Sequence, residues 1–344
     1  MQRVNTAILA GRLRQIIFLH LSMVTISVLA LKNATVASIA DCRYVFTMVN
    51  RFLEEKGKKP LFHVQLVALE KEIKYNNDLF IIHPDKLIKE VDENNLVIIP
   101  VLTGAMVSSV YLNKEYVQWI VEQYKEGAEI ASLCSGVFLL AFSGLLKNKQ
   151  CTTHWHYTNE LKHFYPSIHV VDERVITDQH GLYSSGGSNA YWNLLLHLVE
   201  KYAGREMAIY AAKYFAVDID RNFQSPFIIF NGLKDHDDDV IKKVQEFIER
   251  NYKTKFTVDQ WAAKFNMSRR TFERRFKKAT RNTVAEYIQR VKVEGAKKQL
   301  EIGRKAVNEV MLDTGYSDIQ TFRSVFKRIT GMTPVDYREK YSKK

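Results

Sequence analysis

Two groups of side chains in this 344-residue sequence could do chemistry, and they call for different partners. Cys134 sits among small residues in Ser132–Gly136 (SLCSG), and His154 follows in Cys151–His156 (CTTHWH). A thiolate is the nucleophilic form of cysteine and an imidazole can take its proton, so Cys134 and His154 are candidates for nucleophile and base. In the second group, Arg269, Arg270, Glu273, Arg274 and Lys277 point away from Phe272 and Phe276 on one helical stretch. Such a face suits duplex DNA, because arginine can bond guanine with two hydrogen bonds while lysines meet phosphates.

The elements that position the second group repeat. Shifted by fifty residues, the C-terminal region aligns with itself: Thr271 falls on Thr321, Phe272 on Phe322, Phe276 on Phe326, Lys277 on Lys327, Thr280 on Thr330, Thr283 on Thr333 and Tyr287 on Tyr337. In the first copy Val258, Trp261, Ala262 and Phe265 mark an apolar helix face, Asn266–Ser268 supplies a short turn and cap, and the phenylalanines anchor the next helix. The second copy repeats this with Val307, Val310 and Met311, then Gly315 in the turn, then Phe322, Phe326 and Ile329. Its outward face offers Gln320, Arg323, Ser324, Lys327 and Arg328. A long amphipathic helix over Val284–Leu300 would hold the copies at a fixed separation, and helices set about 34 Å apart would enter successive major grooves. Charge agrees: residues 235–344 hold 26 Lys+Arg against 16 Asp+Glu, while residues 1–234 hold 24 against 22.

The elements around Cys134 have another texture. Apolar runs at Thr25–Leu31, Phe62–Leu69, Leu96–Pro100 and Glu129–Leu133 alternate with helical stretches at Val36–Lys56, Lys114–Tyr124, Val137–Leu146 and Ala190–Tyr202. This alternation predicts a doubly wound, flavodoxin-like α/β domain with a parallel sheet. Cys134 then falls at a strand-to-helix turn, and Gly104 with the backbone after Cys134 could present anion-binding amides. The texture changes after Asn222, through Pro226, Asn231–Gly232 and the acidic run Asp235, Asp237, Asp238 and Asp239. The expected organisation is a leader at 1–22, an α/β domain at 23–222, a linker at 223–239 and an all-α domain with two helix-turn-helix units at 240–340.

The segment Ile16–Leu31 has the apolar character of a signal peptide, but His20 and Ser22 interrupt it and Val24–Leu31 reads as a buried first strand. A start upstream of the true one, with Met23 as initiator, accounts for the leader. No other stretch is apolar enough to span a membrane, and Cys42, Cys134 and Cys151 form no disulfide framework, so a cytoplasmic protein is expected. His154, His156, His163 and His169 match no zinc spacing, so neither metal nor cofactor is expected.

The glycine-aromatic turn, the Phe-x3-Phe spacing, the Gly-x-x-Pro and the Tyr-Arg of Gly315–Arg338 (GYSDIQTFRSVFKRITGMTPVDYR) occur in the order of the AraC/XylS-type DNA-binding domain, which residues 240–340 resemble. That resemblance implies a transcriptional regulator acting on double-stranded DNA, with RNA polymerase as a further partner if it activates. It places base-reading positions at Arg270, Glu273 and Arg274, and at Gln320, Arg323 and Ser324. The order of cysteine elbow, Thr-His-Trp and Ser-Ser-Gly-Gly before a helix resembles the PfpI/class-I glutamine amidotransferase-like sensor half of GlxA-type regulators. This second resemblance implies a homodimer and a small-molecule effector bound near Cys134, Ser135, His154 and Gly104. Asn33–Ala40 (NATVASIA) lacks the glutamate that some relatives place near the first strand, which argues for a non-catalytic domain. The alternatives are a cysteine-dependent hydrolase or amidase carrying a DNA-binding tail, and a redox sensor in which Cys134 is oxidised.

Overall fold

A computed structural model describes residues 23–342 apart from Asp220, Asp235 and Lys255. The leader 1–22, and with it the start of the apolar segment Ile16–Leu31, lies outside the described residues. The chain divides into two compact units between Asn222 and Phe223. The stretch 223–239, expected as a linker, therefore falls with the helical unit.

The first unit is built on strands β1 (Val24–Leu29), β2 (Phe62–Ala68), β3 (Ile73–Tyr75), β4 (Phe80–Ile82), β5 (Lys86–Leu87), β6 (Leu96–Ile99), β7 (Glu129–Ser132), β8 (Gln150–Cys151), β9 (His169–Val170), β10 (Ile176–Gln179) and β11 (Leu182–Ser185). Seven of them form one sheet in the order β10-β11-β7-β6-β1-β2-β5. Its neighbours are parallel except β10, which runs antiparallel to β11 at one edge. The wholly parallel sheet expected from the sequence is corrected there: Gln179 and Leu182 flank a tight turn at His180–Gly181, and that pair needs no crossover helix. All four residues of β6 are buried, as suits a central strand covered on both faces.

Helices α1 (Val36–Glu55), α2 (Met106–Leu112), α3 (Tyr116–Lys125), α4 (Val137–Phe142), α5 (Thr158–Phe164), α6 (Tyr191–Ala203) and α7 (Arg205–Tyr214) complete the unit. The helix expected over Val137–Leu146 ends at Phe142, where the Ser143 hydroxyl donates to the Leu140 carbonyl and Gly144 turns left-handed at φ 79°. The loops leaving β1 and β6 are tied together: Thr35 donates its N–H to Val101 and Thr103 donates to Asn33. These loops and the turn after β7 lie at the carboxyl ends of adjacent parallel strands, where doubly wound sheets bind ligands.

The second unit contains helices α8 (Asp239–Asn251), α9 (Val258–Lys264), α10 (Arg269–Thr280), α11 (Val284–Ile302), α12 (Val307–Asp313), α13 (Ile319–Thr330) and α14 (Pro334–Tyr341). Two separate cores lie along it. One gathers Ile241, Val244, Ile248, Trp261, Phe272, Phe276, Tyr287 and Val291; the other gathers Val293, Ala296, Leu300, Val310, Phe322, Phe326 and Tyr337. Helix α11 therefore closes the first copy with its N-terminal half and opens the second with the rest. Thr283 and Thr333 cap α11 and α14 through matching capping boxes with Glu286 and Asp336. Gly295 on α11 leaves room for Tyr252, whose hydroxyl would stand 2.6 Å from an added Cβ.

Candidate nucleic-acid interface and cysteine elbow

Helices α10 and α13 are built alike. Each is 12 residues long and is capped by a side chain that accepts a backbone N–H three residues on, Ser268 from Thr271 and Asp318 from Thr321. The turn before α10 carries Asn266 at φ 53° and that before α13 carries Gly315 at φ 76°. An added Cβ on Gly315 would lie 2.4 Å from the Lys253 carbonyl, so both the backbone angle and the close approach require glycine. The second turn is one residue longer than the first, since α9 and α12 start 49 residues apart while α10 and α13 start 50 apart.

Phe272, Phe276, Phe322 and Phe326 are fully buried, with 5.8 Å between ring centroids in each copy. Truncating such a ring costs about 3–5 kcal/mol. Burying those faces turns Arg269, Arg270, Glu273, Arg274 and Lys277 outward on α10, and Gln320, Arg323, Ser324 and Lys327 outward on α13; all nine are exposed. Arg270, Arg274, Lys277, Arg323 and Lys327 make no ion pair with another described residue. Arg269 differs. Its guanidinium reaches Asp259 on α9 at 3.1 Å and Glu273 at 3.2 Å, so it braces the turn and occupies Glu273.

Three features of this unit escape a residue-by-residue reading. The Tyr287 hydroxyl donates to Glu249 at 2.6 Å and the Tyr337 hydroxyl to Glu301 at 2.8 Å, so the repeat extends back into α8 and the second half of α11. The fifty-residue self-alignment does not pair these glutamates, because they lie 52 residues apart while the tyrosines lie 50 apart. Asp238 caps α8 and also takes a two-bond fork from Arg275 on α10, at 2.9 and 2.7 Å. No spacing rule signals that pair, because the partners lie 37 residues apart.

Cys134 has φ 51°, a left-handed conformation unusual for a residue with a side chain, at the turn between β7 and α4. Gly136 makes that turn possible, since an added Cβ would stand 2.4 Å from the Pro100 carbonyl. The elbow's polar groups are turned inward. The Cys134 N–H donates to Ser185 Oγ at 3.0 Å, the Gly136 N–H to the Leu133 carbonyl, and Ser135 Oγ to the Leu102 carbonyl at 2.6 Å. Thr153 Oγ1 donates to the Cys134 carbonyl. Of the amides at this turn, that of Gly136 already has an acceptor in the Leu133 carbonyl and that of Cys134 in Ser185. Gly104 lies exposed two residues beyond Leu102.

Burial raises the Cys134 thiol to about 11, against smaller opposing contributions from Ser135 and the His154 backbone N–H. His154 thus approaches Cys134 through its main chain. Its Nδ1 accepts the His156 N–H at 3.1 Å, which puts the ring proton on Nε2 and leaves that nitrogen a donor. Burial first, then His156, lowers the pKa of the imidazole. Of the two ring nitrogens of the candidate base His154, Nδ1 is thus taken by the His156 N–H. Among the described residues, no group of three or more His, Cys, Asp or Glu side chains could hold a metal.

The fold and the two outward helix faces define a helix-turn-helix DNA-binding regulator joined to an α/β domain. Residues 261–340 match the model for the Helix-turn-helix domain and residues 44–201 that for the DJ-1/PfpI family. Over 316 residues the chain is 22% identical to the HTH-type transcriptional regulator GbdR of Pseudomonas aeruginosa, covering 92% of this chain and 84% of that one. Over 101 residues it is 30% identical to the regulatory protein SoxS of Salmonella typhimurium, covering 29% of this chain and 94% of SoxS. A crystal structure described as a transcriptional regulator protein from Vibrio parahaemolyticus superposes with a TM-score of 0.51 at 20% identity, over 56% of this chain and 99% of that one. The chain belongs to the AraC-type family of helix-turn-helix transcriptional regulators and carries a DJ-1/PfpI domain ahead of its DNA-binding unit.

Proposed function

We propose that this DNA-binding regulator reads its operator through two blocks of bases, one under Arg270, Glu273 and Arg274 and the other under Gln320, Arg323 and Ser324, with Lys277 and Lys327 on phosphates. The observation that carries this is the exposure of all these side chains opposite four buried phenylalanines. Arg269 is reassigned within the reading as a brace, because its Nε and Nη1 are directed at one carboxylate oxygen each of Glu273 and Asp259. Selection of duplexes from a random pool by the full-length protein tests the reading, which requires two conserved blocks about one helical turn apart.

The α/β domain, in this reading, is a non-catalytic sensor that binds a small molecule beside Cys134, Ser135, Gly104 and His154. The protonated Nε2 of His154, the high thiol pKa and the committed elbow amides all speak against acyl transfer. Turnover of amides or small aldehydes that Cys134→Ala abolishes would establish the hydrolase reading instead. Effector binding would bias DNA affinity only by favouring one of two conformations. A homodimer fits the exposed Val107, Tyr111 and Leu112 on α2, which packs against α4 with its exposed Phe142. Contact with RNA polymerase, if the protein activates, and a cytoplasmic location complete the proposal. Cys42, Cys134 and Cys151 are free and buried, and no described helix is long and apolar enough to cross a membrane.

A further inference from the structure

The stretch by which the chain enters the helical unit touches both helix-turn-helix copies before α8 begins. Ser225 and Pro226 pack beside Gly331, the residue that ends α13. Phe227 lies beneath the Lys340 ammonium. The Ile228 carbonyl accepts Lys297 Nζ at 2.6 Å; this lysine of α11 is 4% exposed and has Glu294 as its other acceptor. Passing to the first copy, Phe230 meets Tyr287 edge to face at 5.1 Å. Gly232 has φ 67° and lies so near that ring that an added Cβ would stand 2.3 Å from its hydroxyl. The Leu233 carbonyl accepts from the buried Gln245, Lys234 pairs with Glu249, and His236 bonds Gln245. The stretch finishes at Asp238, which grips Arg275.

Arg275 marks where the two copies differ. Its counterpart fifty residues on is Val325, which is buried in the second core. The second recognition helix is therefore seated by apolar packing alone at this position, while the first is held by a fork of two charged hydrogen bonds to the incoming strap. Helix α11 sets the distance between the copies, and the strap adds a hold on α10 that α11 does not provide.

We propose that residues 225–234 and 236–238 form a positioning strap for DNA recognition, in which Asp238 and Arg275 seat the first recognition helix relative to the second. The proposal rests on the reading that both helices contact one duplex. Because the chain reaches the helical unit only through this strap, a displacement of it is delivered to α10 at Arg275 and to α11 at Lys297.

Asp238→Asn removes the carboxylate while keeping a good helix cap, and Arg275→Met places an apolar side chain where the second copy tolerates valine. Each full-length variant, with wild type beside it, is titrated against a duplex selected by the wild-type protein and against the same duplex with two base pairs inserted between the blocks. The expected result is that insertion weakens wild type by about tenfold or more and either variant by less than about threefold. Helical content and the melting temperature of each variant are measured in parallel, so that a variant that does not fold is recognised and the other decides. Folded variants that keep the wild-type penalty on insertion would overturn the strap alone. A wild-type protein indifferent to the insertion would overturn the two-block reading and the strap with it.

Discussion

The cysteine elbow and the recognition helices use polar groups in opposite ways. At the elbow, the Cys134 amide, the Gly136 amide, Ser135 and Thr153 all find acceptors inside the protein, and Cys134 is 3% exposed. On α10 and α13 the phenylalanines take the interior, and Arg270, Arg274, Arg323 and Lys327 meet no carboxylate among the described residues. Buried polar groups are costly unless bonded, so the elbow spends its polar groups on holding its own turn together. Exposed cations without partners cost little and remain available to a polyanion. Both regions contain residues that a motif search would mark as reactive or binding, and only the partner of each side chain separates them.

The largest expected effect tests the inward side of that contrast. Gly136→Ala drives a Cβ against the Pro100 carbonyl and should destabilise the α/β unit by about 3 kcal/mol, read as a fall in its melting temperature. An unchanged melting temperature would mean that the elbow yields. Next comes the thiol. With its pKa raised to about 11 from an ordinary 9.0, Cys134 should alkylate about a hundredfold more slowly than a free cysteine near pH 8, and the rate should climb as pH approaches 11. Rapid labelling at neutral pH would place Cys134 with the redox sensors.

Smaller effects sharpen the outward side. Arg274→Ala should cost roughly 1–3 kcal/mol on selected DNA and little on random duplex. Arg269→Ala should instead lower stability and leave base preference intact, since its partners are Asp259 and Glu273. Lys277→Ala should weaken every duplex about equally and flatten the salt dependence by roughly one counterion, measured as the slope of log affinity against log salt.

How much of this was legible depended on whether the cause was local. Strand β6 and helix α1 could be read within a residue, because burial of apolar runs and helical periodicity are written in neighbouring positions. The two DNA-binding copies were legible because Phe272–Phe276 and Phe322–Phe326 repeat with their caps. The β10–β11 edge pair and α7 carried weaker patterns and were not anticipated. At the candidate sites, residue types pointed to Cys134 and His154, but the direction of the His154 ring is set by one bond to the His156 amide. The Asp238–Arg275 fork was invisible for the same reason: tertiary packing chooses the partner, and neither residue advertises it.

The central claim is that two separate helix faces read two separate blocks of bases, and selection from random duplexes with wild type, Arg274→Ala and Arg323→Ala tests it most directly. The account predicts that each substitution relaxes preference within a different block, the blocks lying about one turn of the duplex apart. Loss of preference in the same block from both substitutions, or no loss from either, would contradict it.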